Sequence, residues 1–394
     1  MKRVLVLDAS QRSALAVTRS LGKHGIPVIT ADETPAALAG FSRYSQKYIA
    51  YPSPLQNPEE FVLAILHTCK NDNIDLILPM TELTTMLLLR NRNHYPEHAL
   101  PFPDIDIDDT LADKYTLIQS AESLDIPVPN TLYIDNPADP QIDLKNQRYP
   151  AVLKPGKSWI EHEDKWLQTC VRIAGNSVEA AEILGSDPAF HLHPYMLQEF
   201  IPGKGEGIFA LYNNGQPLAF FAHRRLREKP PEGGISVLSE STSVDPTLTS
   251  YARKLLDQAG WHGVAMVEFR VTPDGRPYLM EINTRFWGSL QLAVDAGVDF
   301  PWLLYQVASG EQTEPVVNYR TGIRLRWLLG DLDSLYLVLR NSKLSMLHKL
   351  KSFAAFLTPS LPGKTRHEVN RWGDPGPFRF ELKQYLKDLL RHRR

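Results

Sequence analysis

Two short apolar runs, Met266-Val-Glu-Phe269 and Leu279-Met-Glu-Ile-Asn283, are joined by Thr272-Pro-Asp-Gly-Arg276. Pro-Asp-Gly between apolar runs is tight-turn chemistry, so the segment predicts a β-hairpin. Strand side chains alternate between faces. The hairpin can therefore bring Glu268 and Glu281 to one face, with Asn283, two residues beyond Glu281, pointing the same way. An unpaired carboxylate inside an apolar run is costly, so both glutamates are expected to have partners. Two carboxylates and an amide oxygen form a hard, oxygen-rich ligand set. That set suits Mg²⁺ held together with substrate phosphates, because Mg²⁺ keeps waters and takes few protein ligands. Asn283-Thr-Arg285-Phe-Trp-Gly-Ser289 adds a cation, an amide and a hydroxyl within a few residues. An acidic hairpin facing solvent is the bland alternative, and the apolar context of both glutamates argues against it.

The chain has 394 residues, enough for two or three domains with substantial cores. Its formal net charge of −2 gives no basic signature of nucleic-acid binding. The basic Arg391-His-Arg-Arg394 reads as a solvated terminus. Cys69 and Cys170 form no disulfide framework, which fits a reducing compartment. Met1-Lys-Arg leads straight into a short apolar strand, too short for a signal-peptide core. No apolar run approaches the roughly eighteen residues of a membrane span. A cytoplasmic location is expected.

The elements read as a mixture of α/β and α+β. Val4-Leu-Val-Leu7, a helix from Ala14 to Lys23 and Gly25-Ile-Pro-Val-Ile-Thr30 make a βαβ start, and Asn73-Ile-Asp-Leu-Ile-Leu-Pro79 supplies another strand before Thr81-Glu82. The first turn, Asp8-Ala-Ser-Gln-Arg-Ser13, lacks the glycines that let a backbone approach a pyrophosphate. The first lobe is expected to be Rossmann-like without binding NAD. Asp104-Ile-Asp-Ile-Asp-Asp109 is no EF-hand loop, since the sixth and twelfth positions hold Asp109 and Tyr115. Asp109-Thr110 instead predicts the cap of a helix from Leu111 to Ser123. After a linker, Asp135-Asn-Pro-Ala-Asp-Pro140, the strand Tyr149-Pro-Ala-Val-Leu-Lys154 ends in lysine and opens a small α+β lobe. From Met196 the pattern is mainly β. Beyond Val316 come one strand and an amphipathic helical region from Leu332 to Leu357. The expected divisions are 1–108, 109–195, 196–315 and 316–394.

Five patterns occur in a fixed order: Asp113-Lys114 opening a helix, Pro150-Ala-Val-Leu-Lys154-Pro, Leu197-Gln-Glu199-Phe-Ile-Pro-Gly-Lys-Gly-Glu206, Glu268, and Glu281-Ile-Asn283-Thr-Arg285. In this order they resemble the ATP-grasp superfamily. Within it they are most similar to the carboxylate–amine ligases related to carbamoyl-phosphate-synthase and biotin-carboxylase domains. The resemblance covers roughly residues 1 to 315 and is weakest in the first lobe. It implies an ATP-grasp fold with a Rossmann-like first lobe, a small α+β lid lobe and a β-rich catalytic lobe, followed here by a helical extension.

The resemblance also implies ATP and Mg²⁺ as cofactors, with Mn²⁺ as a substitute. Lys114 and Lys154 would contact the phosphates. Glu199, Phe200 and Ile201 would form a hinge strand against adenine, and Glu206 would bind the ribose. Glu268, Glu281 and Asn283 would hold the metal. Arg285 would bind the γ-phosphate or the substrate carboxylate, a planar oxyanion that suits a guanidinium fork. Lys154 and Arg285 would act in catalysis, the partners being a small carboxylate and an amine. Ser289, Ser10 and Glu82 are acceptor-site candidates, the first-lobe pair because open α/β sheets bind ligands at strand carboxyl ends. Two alternatives stay open: a bicarbonate-activating enzyme and a non-catalytic ATP-binding regulator.

The chain departs from relatives at Gly156-Lys-Ser-Trp-Ile-Glu-His-Glu-Asp-Lys-Trp166, which has one glycine where many carry a glycine-rich flap. Lys157 and Ser158 are candidates to replace it. Of the run His223-Arg-Arg-Leu-Arg227, Arg225 is expected to face the site. His162, His191 and His193 make no zinc set. The helical stripe of Leu344, Leu347, Leu350 and Phe353 beside Lys343, Lys349 and Lys351 could touch a membrane or a partner, but is expected to pack on the catalytic lobe, as surface helices ordinarily do. A homodimer is the default for a soluble oligomer.

Overall fold

The computed structural model describes residues 1–96, 98–138, 142–163, 165–231, 234–358 and 365–391. Asp139 and Pro140 of the expected linker, Asp164 of the flap, Glu232 and Gly233 after the basic run, and the tail residues 392–394 lie outside the described residues.

The first lobe is a parallel sheet of β1 (Val4–Val6), β2 (Val28–Asp32), β3 (Ser45–Ala50) and β4 (Leu76–Leu78) in the order β3-β2-β1-β4. Helices α1 (Arg12–Lys23), α2 (Pro58–Asn71) and α3 (Glu82–Arg90) connect and cover it. β1, β2 and β4 are wholly buried, which is why the first and last read as unbroken apolar runs. At the glycine-free first turn Asp8 takes φ of 53°. Its carboxylate accepts from the Met80 and Thr81 amides, Thr84 Oγ1 and Tyr51 Oη. The turn is thus closed by its own hydrogen bonds.

Two helices follow, α4 (Ile105–Ala112) and α5 (Lys114–Ser123), where the sequence predicted one helix capped at Asp109-Thr110. The break falls at Asp113, whose backbone is extended and whose Oδ1 caps the Tyr115 amide at 2.8 Å. Both Asp109-Thr110 and Asp113 have capping chemistry, and Asp113 is the one that starts the helix carrying Lys114.

The small lobe contains β5 (Thr131–Ile134), β6 (Ala151–Pro155), the hairpin β7 (Trp159–His162) and β8 (Lys165–Gln168), β9 (Arg172–Ala174), α6 (Ser177–Ser186), α7 (Ala189–Leu192) and β10 (Tyr195–Glu199). Its antiparallel sheet runs β5-β10-β6-β9. β10 is therefore an interior strand. It ends at Glu199, so Phe200 and Ile201 lie in the connection beyond it and not in a hinge strand.

The large sheet has seven strands in the order β15-β14-β11-β12-β13-β16-β17: β11 (Lys204–Asn213), β12 (Gln216–Lys229), β13 (Ile235–Thr242), β14 (Gly263–Val271), β15 (Pro277–Asn283), β16 (Arg324–Arg326) and β17 (Thr365–His367). The last two come from beyond residue 316, so strands of the extension complete this sheet. One face packs with α9 (Leu290–Ala296) and α10 (Phe300–Ala308) into a core shared with the first lobe. The other is covered by α5 and α8 (Pro246–Gln258).

The extension adds α11 (Leu328–Arg340), α12 (Met346–Leu357) and α13 (Gly376–Arg391). The expectation that its apolar stripe packs on the catalytic lobe is not met. α12 has no buried residue, and Met346, Leu347, Leu350, Phe353 and Leu357 are exposed. The helix is held by other means: Arg326 donates to the Phe356 carbonyl and lies over its ring, and Arg227 donates to the Ala355 carbonyl.

Candidate active site

The Pro-Asp-Gly segment makes the β14–β15 hairpin, with Gly275 at φ of 83° in the turn. Glu268 stands directly opposite Glu281, and Met266 opposite Asn283. Directly paired residues share a face, so the two carboxylates and the amide lie together. The Asn283 amide nitrogen lies 3.4 Å from Glu281 Oε1. Between Glu268 and Phe269 the register slips, since Phe269 pairs with Leu279. Met280 is the extra residue of this bulge.

β15 is the edge of the large sheet, and the small lobe covers it. Leu279 donates its amide to Pro127, and Lys154 reaches the Met280 carbonyl with Nζ at 2.5 Å. Lys154 is 5 % exposed. Lys114, from the start of α5, lies 3.8 Å from Glu281 and donates to Ser158 Oγ at 2.9 Å. Arg225 reaches in from β12, 3.2 Å from Glu268 and 3.2 Å from Glu228. Gly205 on the neighbouring strand lies alongside this pair: a Cβ there would meet the Arg225 guanidinium at 3.6 Å and Glu268 Oε1 at 3.7 Å, ordinary contact distances. Of the other arginines in the run, Arg224 pairs with Glu240 and Arg227 with Asp331.

The charges are closely balanced. Desolvation lowers the Lys154 ammonium to about 8, aided by Lys114 and resisted by the two glutamates. Desolvation also raises the Glu268 carboxyl, and Glu281 adds to the rise while Arg225 opposes it. For Glu281 desolvation works upward too, but Lys114, Lys154, Asn283 and Arg285 together hold its carboxyl below the usual range. Two facing carboxylates in one cleft thus ionise unequally, as like charges in contact do. Among the described residues, no three His, Cys, Asp or Glu side chains converge as a ready-made metal cage. The donor set of Glu268, Glu281 and Asn283 fits a hard divalent cation whose remaining ligands are water and phosphate oxygens.

The segment around 156–166 is a β-hairpin, not a glycine-rich loop. Its Ser158 meets Lys114, Lys157 meets Asp109 at 3.3 Å, Glu161 pairs with Arg90 at 2.9 Å, and Trp166 lies under the Arg90 guanidinium. The flap is therefore tied to the first lobe by side chains.

The remaining residues singled out from the sequence are placed unevenly. Arg285 acts electrostatically on Glu281, and its buried Nε has no hydrogen-bond partner. Ser289 lies 2.7 Å from His223 Nε2. Glu199 closes β10 beside a cavity of about 320 Å³. Ser10 is exposed and lines a cavity of about 820 Å³ with Arg12, Gly288, Trp327, Glu381 and Tyr385. Glu82 begins α3 and acts on Asp108. The structure does not bring Glu206 to the carboxylates: it pairs with Phe269 and Arg224, one residue out of phase with Glu268, so its side chain lies on the opposite face.

Three groups near the site were missed. The Met280 carbonyl is exposed by a bulge, which a hairpin pattern does not reveal. His223 is buried, stacked on Phe209 and pushed down to about 3 by desolvation and Arg225, yet its sequence context showed only a basic run. Asp108, set aside with the failed calcium loop, is 3 % exposed, and its Oδ1 has no partner.

This architecture is the ATP-grasp fold. Residues 191–330 match the family described as ATP-grasp in the biosynthetic pathway with Ter operon. The structure is similar to the biotin carboxylase–β-γ-ATP complex from Campylobacter jejuni, with a TM-score of 0.64, 15 % identity, and 82 % of this chain and 74 % of that chain covered. An L-amino acid ligase from Bacillus licheniformis gives a TM-score of 0.60 at 16 % identity, covering 79 % and 75 %. The ADP complex of PurK, an N5-carboxyaminoimidazole ribonucleotide synthetase, gives 0.64 at 13 % identity, covering 90 % and 96 %. At such identities the likeness is one of fold. No curated protein matches the chain in sequence.

Proposed function

We propose that the protein is an ATP- and Mg²⁺-dependent ligase that activates a carboxylic acid as an acyl phosphate and joins it to an amine, releasing ADP and phosphate. The observation that carries this reading is the Glu268–Glu281 pair, set face to face and ringed by Lys154, Lys114 and Arg225. Such a cluster makes sense where anionic phosphates and a divalent cation enter together. The likeness to an L-amino acid ligase, a biotin carboxylase and PurK points the same way.

Bound Mg-ATP supplies the phosphoryl group and the positive charge that lets two anions meet. Glu268, Glu281 and Asn283 offer the oxygen donors for the metal. Lys154 and Lys114 would hold phosphate oxygens from the small lobe. Arg225 and Arg285 steady the transferred group and the acid. The backbone beyond Glu199, at Phe200 and Ile201, is free of the sheet and available to the adenine edge. The flap hairpin, tied to the first lobe, keeps water from an acyl phosphate that would otherwise hydrolyse. Ser10 and Gly288 line one cavity, which this reading assigns to the acceptor.

The test is an acid panel with Mg-ATP and hydroxylamine as surrogate amine. ADP release with hydroxamate formation from one acid class is the expected result. ADP release driven by bicarbonate alone would replace this reading with a carboxylase-type one. Tight ATP binding without turnover on any acid would make the protein a regulator.

A further inference from the structure

α12 attaches to the body through its polar side. Lys349, Ser352 and Phe356 are half-buried, and the anchors are backbone carbonyls gripped by Arg227 and Arg326. The opposite side carries Met346, Leu347, Leu350, Phe353 and Leu357, each 46–72 % exposed. At helical spacing these make one continuous apolar stripe, turned away from the protein. The helix and the segment leading into it carry charge of one sign. From Asn341 to Thr358 the sequence holds Lys343, His348, Lys349 and Lys351 but no Asp or Glu, in a chain whose net charge is −2. The nearby carboxylates of α11 are already taken, Asp331 by Arg227 and Arg326 and Asp333 by Lys229 and Tyr385.

We propose that α12 is a docking helix for an anionic lipid surface, on which the protein sits without crossing it. An outward apolar stripe flanked by basic residues is the pattern that beds into the boundary between headgroups and acyl chains. Among the described residues no helix is long and apolar enough to cross a membrane, so the proposed attachment is peripheral. A second copy fits less well: a two-fold contact through this stripe sets two acid-free basic segments against each other with nothing to pair them. The lipid headgroups supply the missing negative charge.

The experiment is co-sedimentation of the full chain with vesicles of phosphatidylcholine alone and with one third phosphatidylglycerol. The protein is expected in the pellet only with anionic vesicles, and added salt should release it. Leu350→Glu with Phe353→Glu should weaken binding by about tenfold or more. Lys343→Glu with Lys351→Glu should do the same, because each reversal turns an attraction to the anionic surface into a repulsion. All four side chains are exposed, so both variants should melt like the wild type. The proposal fails if wild-type protein stays in the supernatant with both vesicles, or if either variant sediments unchanged. It also fails if the stripe instead drives dimerisation in analytical ultracentrifugation that Phe353→Glu abolishes.

Discussion

Asp331 and Glu281 are both carboxylates surrounded by cations, yet their environments differ in kind. Asp331, 1 % exposed, is gripped at both oxygens by Arg227 at 2.6 and 2.7 Å, with Arg326 adding a bond at 2.6 Å. Asp295 is closed in the same way by Arg371 and Arg366, and Glu240 by Arg224 and Arg324. Each of these has one carboxylate and at least two guanidiniums, and each ties the C-terminal extension to the sheet or the helices beneath it. Glu281 instead faces another carboxylate. Its nearest cation is 3.8 Å away, and a third of its side-chain surface is open. The clamps are finished structures; the glutamate pair is left incomplete, as the proposed ligand site requires.

The contrast gives opposite mutational signatures. Glu281→Gln should cut ATP turnover by on the order of a thousandfold, since metal-mediated charge neutralisation contributes several kcal/mol. Its thermal midpoint should fall only slightly, because the cations that hold its carboxyl below the usual range lose an anion while the like-charge contact with Glu268 disappears. Asp331→Ala should cost about 3–5 kcal/mol of stability by stranding two arginines, with turnover per folded molecule unchanged. Urea titration and initial rates on both variants decide it. If Asp331→Ala lost turnover without losing stability, the division between clamp and site would collapse.

Asp108 lies between the two kinds and sharpens the distinction by pH. It is buried like a clamp but lacks paired guanidiniums: desolvation pushes its carboxyl from 3.8 up to about 7, against a hydrogen bond from Thr284 and the pull of Arg92, with Asp109 and Glu82 adding to the rise. The folded state then keeps a proton that the unfolded chain has lost, so stability falls as pH rises through roughly 4 to 7. Asp108→Asn removes that penalty. Its advantage over the wild type should grow across this window by at most about 4 kcal/mol, read from urea curves at either end. A flat difference would mean that the Asp108 charge is compensated in the folded state after all.

What could be read beforehand follows from whether the cause was local. The hairpin was legible because turn chemistry and alternation set it within eighteen consecutive residues, 266–283. The bulge at Met280, which gives Lys154 its acceptor, depends on how β15 meets its neighbour and left no trace in composition. Simple alternation puts Arg225 and Arg227 on one face. Register shifts on either side of Arg227 send it to Asp331 and leave Arg225 with Glu268. The α12 stripe was visible as a pattern, but periodicity cannot say which face meets the protein. There the anchors are backbone carbonyls, which no side-chain pattern encodes.

The smallest expected effect is the most exacting test of the site's location. Arg224 and Arg225 are adjacent on β12 and therefore point to opposite faces of the large sheet. Arg224 shares its face with Glu206 and is 60 % exposed at its bond to Glu240. Arg224→Ala should cost less than about 1 kcal/mol, as exposed ion pairs do, and should leave turnover intact. Arg225→Ala should cost somewhat more stability, since Glu268 loses its guanidinium, and should raise KM for ATP or lower kcat by about tenfold or more, as loss of an oriented cation does. The opposite outcome, with Arg224 needed and Arg225 dispensable, would move the nucleotide to the Glu206 face. Glu268 and Glu281 would then be a buried acidic pair without a ligand, which their charge balance makes hard to sustain.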